Sequence, residues 1–266
     1  MSAQTEDRKG AGGHTGVYVY GILPGDIEIE PGAAGVGDPP GDVRAVRYGD
    51  LTALVSDVDL DRPLGRAEDL FTHEELLDAS AANVPVLPLR FGAVLTSDDA
   101  VADELLGPHY GEFTEALRQL DGHAEYVVKG RYVEPAVLGE ILAENPEAAR
   151  LGDQIRDADP DLTRDERIQL GEIVSDAIEA RRQADTRALG DAVSGQVTAS
   201  VVRPPTHELD AVYTAFLVGT GKAEELRQVV ERLAGEWRDR IDLRLIGPLA
   251  AYDFVGNSAP AGTEAR

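Results

Sequence analysis

The order of strand and helix patterns between Ala124 and Ile246 constrains the fold more strongly than any other feature of this chain. An alternating strand comes first and a long helix follows; two strands, a second helix and a final strand complete the series. The segments that carry these patterns are 124–133, 163–195, 197–202, 209–218, 223–237 and 241–246. This βαββαβ order is typical of a ferredoxin-like domain, in which two helices cover one face of a four-stranded antiparallel sheet.

The first half of the chain gives a less regular pattern of strands and helices. Residues 17–23 read as a strand, and two further strand patterns flank Gly49-Asp50, a dipeptide that favours a two-residue hairpin turn. We therefore predict an α+β fold with two domains. The predicted divisions are a disordered tail at 1–16, an N-terminal α+β domain at 17–120, a C-terminal domain at 121–250 with a loop and short-helix insertion at 134–162, and a C-terminal tail at 251–266.

Two capping patterns predict where helices of the first half begin. Thr72 and Glu75 have the spacing of a capping box, which predicts a helix start at Thr72. Ser97 precedes two aspartates and predicts a helix that reaches about residue 120, with Gly107-Pro108 as a potential break. Both helices follow the first three strands in the chain.

The stretch Val84–Leu95, VPVLPLRFGAVL, is an unusual apolar run because it contains two prolines and an arginine. Each proline removes a backbone donor, which predicts an edge strand that enters a turn at Gly92. Arg90 stands beside Phe91 in this run and needs a carboxylate, a carbonyl or a partner molecule. These two residues are therefore candidates for partner binding.

Composition excludes several classes of function. The chain has 266 residues, a net charge of −24 and no cysteine, so phosphate backbones and anionic membrane surfaces would repel it, and thiol catalysis and zinc ribbons are ruled out. The first residues lack the apolar region of a secretory signal, and no apolar run approaches the ~20 residues that cross a bilayer. We expect an intracellular protein that binds neither nucleic acid nor membrane.

The sequence offers no convincing catalytic, metal or cofactor motif. The five histidines are scattered, with no pair at the i, i+4 spacing of metal ligands: His14, His73, His109, His123 and His207. Four carboxylates imitate an EF-hand register: Asp57, Asp59, Asp61 and Glu68. Arg62 stands where that loop requires glycine, so a solvated acidic loop is the better interpretation. Residues 219–222 suggest a phosphate loop, but the spacing fails and a strand-to-helix turn is favoured.

Two phrases of the sequence carry a family resemblance. VPVLPLRFGAVL at 84–95 and GPLAAYDFV at 247–255, with the order of elements between them, resemble the gas vesicle protein GvpL/GvpF family, with a GvpF-like pattern. The resemblance spans roughly residues 17 to 255. It implies an N-terminal α+β domain that is a modified, ferredoxin-like variant, joined to a ferredoxin-like C-terminal domain.

The resemblance also implies a function. Members of the family are accessory proteins of gas vesicle assembly, so the chain is expected to be a non-enzymatic, cytoplasmic, gas vesicle-associated factor without a cofactor. It would bind the hydrophobic gas vesicle structural protein (GvpA-like), and other accessory proteins are further candidate partners. An acidic surface suits such a role because it keeps a protein soluble beside an aggregation-prone client.

Other interpretations stay open at this point. A ferredoxin-like sheet also suits a small-molecule-binding or regulatory module, although that rests on fold analogy, and the missing constellations disfavour an enzyme. Arg90 could instead hold the first domain together by pairing with a buried acid. Tyr252 and Phe254 are two further candidates for partner binding, or could fold back across the domain junction as an apolar clasp.

Overall fold

The computed structural model describes residues 14–25, 27, 32–159 and 161–255. The chain divides into two compact units, which we call unit 1 (Met1–Asp121 with Ala250–Arg266) and unit 2 (Gly122–Leu249). Each unit contains an antiparallel sheet and helices, so the fold mixes α and β elements as the sequence predicts. Most of the tails predicted at 1–16 and 251–266 lies outside the described residues. Of the described part, Thr15 and Gly16 belong to the first strand, and residues 251–255 belong to unit 1.

Unit 1 is built on a sheet of five strands in its described part. Its strands and helices are β1 (Thr15–Pro24), β2 (Arg44–Tyr48), β3 (Leu51–Asp59), α1 (Ala67–Ala81), β4 (Leu87–Pro88), β5 (Val94–Leu95), α2 (Asp98–Ala100) with a π-helical continuation (Val101–Leu106), and α3 (Tyr110–Leu120). The strand order is β2-β3-β1-β4, and β5 also pairs with β1. The pairs are antiparallel.

Strand β1 lies at the centre of unit 1 and is buried on both faces. Val17 and Val19 point to the face that packs against α3, whereas Tyr18 and Tyr20 point to the face that packs against α1. The register with β3 shifts between Val19 and Gly21. A Cβ atom at Gly21 would lie 2.9 Å from both the Leu77 side chain and the Leu87 carbonyl oxygen. Glycine there lets α1 and β4 approach β1 closely, which positions the segment around Arg90.

Unit 2, where the structure describes it, is built on a sheet of four strands. Its elements are β6 (His123–Tyr132), α4 (Glu134–Glu144), α5 (Pro146–Ile155), α6 (Arg164–Val193), β7 (Ala199–Val202), β8 (Asp210–Gly219), a 3₁₀ turn (Thr220–Lys222), α7 (Ala223–Glu236) and β9 (Ile241–Leu249). The strand order is β7-β8-β6-β9, with antiparallel pairs throughout. Apolar side chains of β6 and β8 pack with those of α6 and α7 to form its main core.

A buried carboxylate joins α6 to two strand ends of unit 2. Asp185 accepts a hydrogen bond of 2.7 Å from the Tyr132 hydroxyl. The Arg240 guanidinium binds both carboxylate oxygens of the same side chain. This network connects the C-terminal half of the 30-residue helix to the end of β6 and to the residue just before β9.

Helix α1 begins earlier than the sequence analysis predicts. The helix starts at Ala67, five residues before Thr72. Asp69 provides the N-terminal cap instead, because its Oδ2 atom accepts the backbone N–H groups of Gly65 and Arg66, each at 3.1 Å. The expected capping box at Thr72 and Glu75 is therefore wrong. Residues 67–71 belong to the helix.

The insertion at 134–162 contains more helix than the predicted loop and short helix. It holds two helices, α4 and α5, and both have proline within the first two positions. Proline is tolerated there because the first N–H groups of a helix have no intrahelical partner. Asn145 caps α5 by accepting the N–H groups of Glu147 and Ala148, each at 3.0 Å. Pro135 and Pro146 thus lie at helix starts, and Pro160 lies outside the described residues.

Other local predictions are confirmed. Gly49-Asp50 forms a two-residue turn between β2 and β3, since Tyr48 pairs with Leu51. The Ser97 hydroxyl accepts the Ala100 N–H at 3.1 Å and caps the helix that follows. That helix is interrupted at residues 107–109, before α3. Residues 219–222 form a strand-to-helix turn between β8 and α7.

Candidate functional site

The candidate site in unit 1 contains the segment around Arg90 and the C-terminal aromatic residues. Two of the four predicted partner-binding residues come together: Phe91 and Tyr252 both contact the His73 ring, with ring centroids 5.7 Å and 6.4 Å from it. Phe91 also contacts Tyr18 at 5.8 Å. We call His73, Tyr18, Tyr20, Phe91 and Tyr252 the aromatic cluster.

Backbone hydrogen bonds hold residues 89–93, which we call the Arg90 segment, against β1. The Leu89 N–H donates to the Tyr20 carbonyl at 2.9 Å, and the Val19 N–H donates to the Ala93 carbonyl at 2.9 Å. Between these two bonds the chain turns at Gly92, whose φ of +92° favours glycine. The turn predicted at Gly92 is therefore present, and it presents Arg90 at the surface while Phe91 points towards the aromatic cluster.

His73 lies at the centre of this cluster on the sheet-facing side of α1. It is only 2% exposed, and burial lowers the pKa of its imidazole to about 4, so the ring is neutral at pH 7. Its Nδ1 atom lies 3.0 Å from the Tyr18 hydroxyl, and that hydroxyl accepts the Gly92 N–H at 3.1 Å. Burial also raises the pKa of Tyr18. No sequence pattern marks either ring as part of the site.

The C-terminal segment reaches the cluster because its backbone is tied to α1. The Ala250 N–H donates to Asp78 Oδ1 at 2.8 Å, and Ala250 is fully buried. Tyr252 follows within the same apolar cluster of unit 1. Phe254 is half-buried, and its N–H donates to the Ala251 carbonyl at 3.2 Å. The structure thus brings Tyr252 to the site and leaves Phe254 outside the aromatic cluster.

Arg90 is exposed. Within the described ranges, its guanidinium has no hydrogen bond or ion pair, so no buried acid pairs with it there. A surface guanidinium next to a half-buried aromatic ring is available to a partner molecule. The segment therefore supplies one charged group and one apolar group side by side.

The exposed apolar side chains of α1 extend this site. Leu70, His73 and Leu77 follow the helical spacing of one face, and Leu70 continues that face at the N-terminal end, where it is 44% exposed. Its neighbour Phe71 is 64% exposed. Large exposed apolar residues that adjoin each other are a common feature of interaction surfaces. The capping pattern at Thr72 does not reveal this pair, because it places the helix start after Phe71.

The described residues contain neither a metal-binding cluster nor a membrane-spanning helix. No group of three or more His, Cys, Asp or Glu side chains in those ranges is placed to hold a metal ion. In the EF-hand-like segment, Asp57 is paired with Arg44 at 2.8 Å, and Asp59 accepts the Asp61 N–H at 2.9 Å. None of the helices in the described part of the chain is both long and apolar enough to cross a membrane.

Comparison with known proteins identifies relatives that all belong to one kind of protein. The family model described as "Gas vesicle synthesis protein GvpL/GvpF" matches residues 16–256. Gas vesicle protein F of a Streptomyces species is 36% identical over 241 residues, which cover 90% of this chain and 98% of that protein. Gas vesicle protein F of Dolichospermum flosaquae is 25% identical over 241 residues, which cover 90% and 97%.

Solved structures share the fold. A crystal structure of GvpF from an Anabaena species matches with a TM-score of 0.71 and 24% identity, and covers 91% of this chain and 96% of its own. GvpF from Microcystis aeruginosa matches with a TM-score of 0.71 and 23% identity over 90% and 98%. The family model and the curated relatives cover nearly the whole described chain, and they agree with the resemblance seen in the sequence. The chain belongs to the GvpL/GvpF family of gas vesicle synthesis proteins.

Proposed function

We propose that this chain is a non-enzymatic assembly factor that binds the hydrophobic gas vesicle structural protein and assists its incorporation into the vesicle shell. It acts in the cytoplasm, at the growing gas vesicle, and other gas vesicle accessory proteins are further candidate partners. Membership of the GvpL/GvpF family supports the gas vesicle role. The exposed apolar pair on α1 supports the binding role.

The observation that carries this proposal is a pair of adjacent exposed apolar residues, Leu70 and Phe71, on one helix of a strongly acidic chain. A chain of net charge −24 repels its own copies and stays dispersed. Against that background, α1 presents two adjacent apolar side chains, one of them more exposed than buried. An aggregation-prone client needs its apolar surface covered until it is incorporated, and apolar contacts of this kind supply that cover.

Arg90 and Phe91 complete the proposed client-binding surface. Phe91 and Tyr252 belong to the aromatic cluster, and Arg90 adds a donor group that can bind carbonyl or carboxylate oxygens of a client. Phe254 follows Tyr252 by two residues and is half-buried, so we keep it as the outermost candidate of the surface.

We also infer a finer description of the fold. In unit 2, the order of elements and the strand order β7-β8-β6-β9 support a ferredoxin-like βαββαβ domain with α4 and α5 as its insertion. We describe unit 1 as a modified ferredoxin-like α+β domain. The domain boundaries proposed are close to residue 121 and residue 250, where the two compact units meet along the chain.

A binding assay with the structural protein tests the proposal. Detergent-solubilised structural protein from the same host is diluted into buffer, and light scattering follows its aggregation with and without this chain and without nucleotide. The proposal predicts that the chain delays aggregation and co-purifies with the structural protein. Normal flotation of cells that lack this gene, together with no co-purification, would refute it.

A matched pair of variants tests the surface. Phe71→Asp places a charge on α1 and is expected to weaken binding about tenfold, since exposed aromatic anchors dominate apolar interfaces. Ile168→Asp is the control, because Ile168 is also an exposed apolar residue of a helix, at 52%, but lies in unit 2. Equal client binding by both variants would show that Phe71 of α1 is not part of the client-binding surface.

A further inference from the structure

Strand β7 is a sheet edge that carries no charged side chain. It is the terminal strand in the order β7-β8-β6-β9, and its four residues, ASVV, carry no charge. The opposite edge, β9, carries Asp242 and Arg244, and the edge strand β2 of unit 1 carries Arg44 and Arg47. Charged side chains on edge strands prevent the addition of further strands. Strand β7 lacks this barrier.

The free edge of β7 presents backbone hydrogen-bonding groups from two residues. Just beyond the strand, the Arg203 N–H donates to the Tyr213 carbonyl at 2.8 Å, so these two residues form a hydrogen-bonded pair. Such pairs alternate in an antiparallel ladder, and Val201 is therefore also bonded to β8. Ser200 and Val202 then direct their N–H and C=O groups away from β8. Both residues are exposed.

A groove adjoins this edge and adds side-chain recognition. It has a volume of about 590 Å³. Residues of α6, the end of β7, the Pro204-Pro205 turn and β8 line it, among them Gln183, Thr186, Arg187, Val202 and Val212. The Val202 side chain is 63% exposed and supplies an apolar contact beside the groove.

The groove also contains an arginine whose charge is not paired in the described part of the chain. Two of its arginines already have carboxylate partners: Arg182 pairs with Glu179, and Arg203 pairs with Glu125. Arg187 is exposed, and in the part of the chain that the structure describes its guanidinium has no hydrogen bond or ion pair. In so acidic a chain, an unpaired arginine beside an open strand edge favours a carboxylate on the incoming segment.

We propose that β7 docks an extended segment of the client as an additional strand, with an aliphatic side chain of that segment against Val202 and a carboxylate against Arg187. This mode of recognition uses main-chain hydrogen bonds for affinity and neighbouring side chains for specificity. The inference rests on the proposed function, because it names how the same client is held. A second copy of this chain is a poorer occupant, since net charges of −24 on each copy repel.

Variants on the two edges of one sheet test the inference. Val202→Lys places a charge on β7, and Ile246→Lys makes the same change at a residue of β9 that is 45% exposed. The probe is the detergent-solubilised structural protein of the same host. We expect Val202→Lys to weaken its binding about tenfold, with Ile246→Lys within about twofold of the unaltered chain. Arg187→Glu should weaken binding in the same direction as Val202→Lys.

Two further measurements separate recognition from damage to the fold. Hydrogen exchange of the peptide that contains residues 199–203 should slow when the structural protein is added, because the outward amides become bonded. If Val202→Lys fails to fold by circular dichroism, Ser200→Pro replaces it. That change removes one outward N–H, which the sheet of unit 2 does not use.

The outcomes distinguish the inference from the function on which it rests. If the unaltered chain binds the structural protein and Val202→Lys binds equally well, strand addition at β7 is wrong and the proposed function stands. If the unaltered chain does not bind at all, both fall. If the chain alone forms dimers that Val202→Lys abolishes, the edge serves self-association and the inference is overturned.

Discussion

At the scale of single residues, His73 is the side chain on which the candidate site depends. Its ring contacts Tyr18, Tyr20, Phe91 and Tyr252, which come from β1, from the Arg90 segment and from the C-terminal segment. A neutral imidazole suits this position, because it fills an aromatic niche and still bonds the Tyr18 hydroxyl. Protonation of that ring would place an uncompensated charge in an apolar environment.

The stability of unit 1 should therefore depend on pH through His73. The pKa of His73 falls from 6.5 to about 4 on folding because the ring is buried, so the unfolded chain binds more protons between these values. Stability consequently rises with pH across this window and is complete above it. Between pH 7 and pH 5, this ring accounts for a loss of about 2 kcal/mol in the free energy of unfolding.

Urea unfolding of His73→Gln at the same two pH values measures that contribution. The variant should lose about 2 kcal/mol of the pH dependence, whereas His109→Gln, which alters a surface histidine paired with Glu112, should keep it. Other titrating groups of unit 1 contribute equally to both variants. An unchanged pH dependence in His73→Gln would show that the ring is accessible to protons in the folded state.

Variants of Arg90 and Phe91 should distinguish a role in client binding from a role in the stability of the fold. Arg90→Ala removes an exposed group that has no side-chain partner in the described part of the chain, so the melting temperature should change by only a few degrees while client binding falls. Phe91→Ala removes ring contacts with Tyr18 and His73 and should lower the free energy of unfolding by about 2 kcal/mol. Thermal melts and co-purification of both variants are the measurements. A large loss of stability in Arg90→Ala would assign that residue to the fold instead.

At the scale of helices and strands, local patterns predict most elements but not their contacts. The strands β1, β6 and β8 have ten residues each and either alternate or run apolar, whereas α6 and α7 keep one apolar helical face. Hydrophobic periodicity alone therefore identifies them. Helix α1 starts at a cap made by Asp69, which receives a third bond from Gly37 in a distant loop. A cap that depends on tertiary contacts cannot be recognised from spacing along the chain.

The same distinction applies to the candidate site. The two segments that contain Phe91 and Tyr252 can be recognised in the sequence, and the glycine at position 92 predicts the turn there. Their meeting at His73 is not visible, because it requires the residues around Phe91 and the C-terminal segment to pack on the same helix. Sequence patterns thus supplied the residues of the site, and only the tertiary fold supplied its centre.

The free energy of unfolding should depend on the buried carboxylate of Asp185 in α6. Asp185→Ala leaves the Tyr132 hydroxyl and the Arg240 guanidinium without their partner, and we expect a loss of about 3 kcal/mol in the free energy of unfolding. Glu179→Ala on the same helix removes an exposed partner of Arg182 and should cost no more than about 0.5 kcal/mol. Chemical denaturation of both variants measures the difference. Similar values for the two would mean that the Asp185 network does not anchor the helix.

At the scale of the whole molecule, net charge and apolar contacts have opposite effects on binding. A charge of −24 disperses the chain and cannot attract an apolar client. The binding surfaces proposed are mainly apolar or made of backbone groups, with Arg90 and Arg187 as their charged members. Affinity for the structural protein should therefore come mostly from contacts that salt does not screen.

Salt titration of client binding tests this balance. Between about 50 mM and about 500 mM NaCl, the dissociation constant should change by less than about threefold, because screening weakens two arginine contacts while it also reduces the repulsion of an acidic chain from any acidic client. Arg187→Glu should make binding improve with salt, since the reversed charge repels the carboxylate that the groove accepts. A more than tenfold weakening of the unaltered complex across this range would instead assign client binding to ion pairs, and it would remove the apolar pair on α1 as the principal contact.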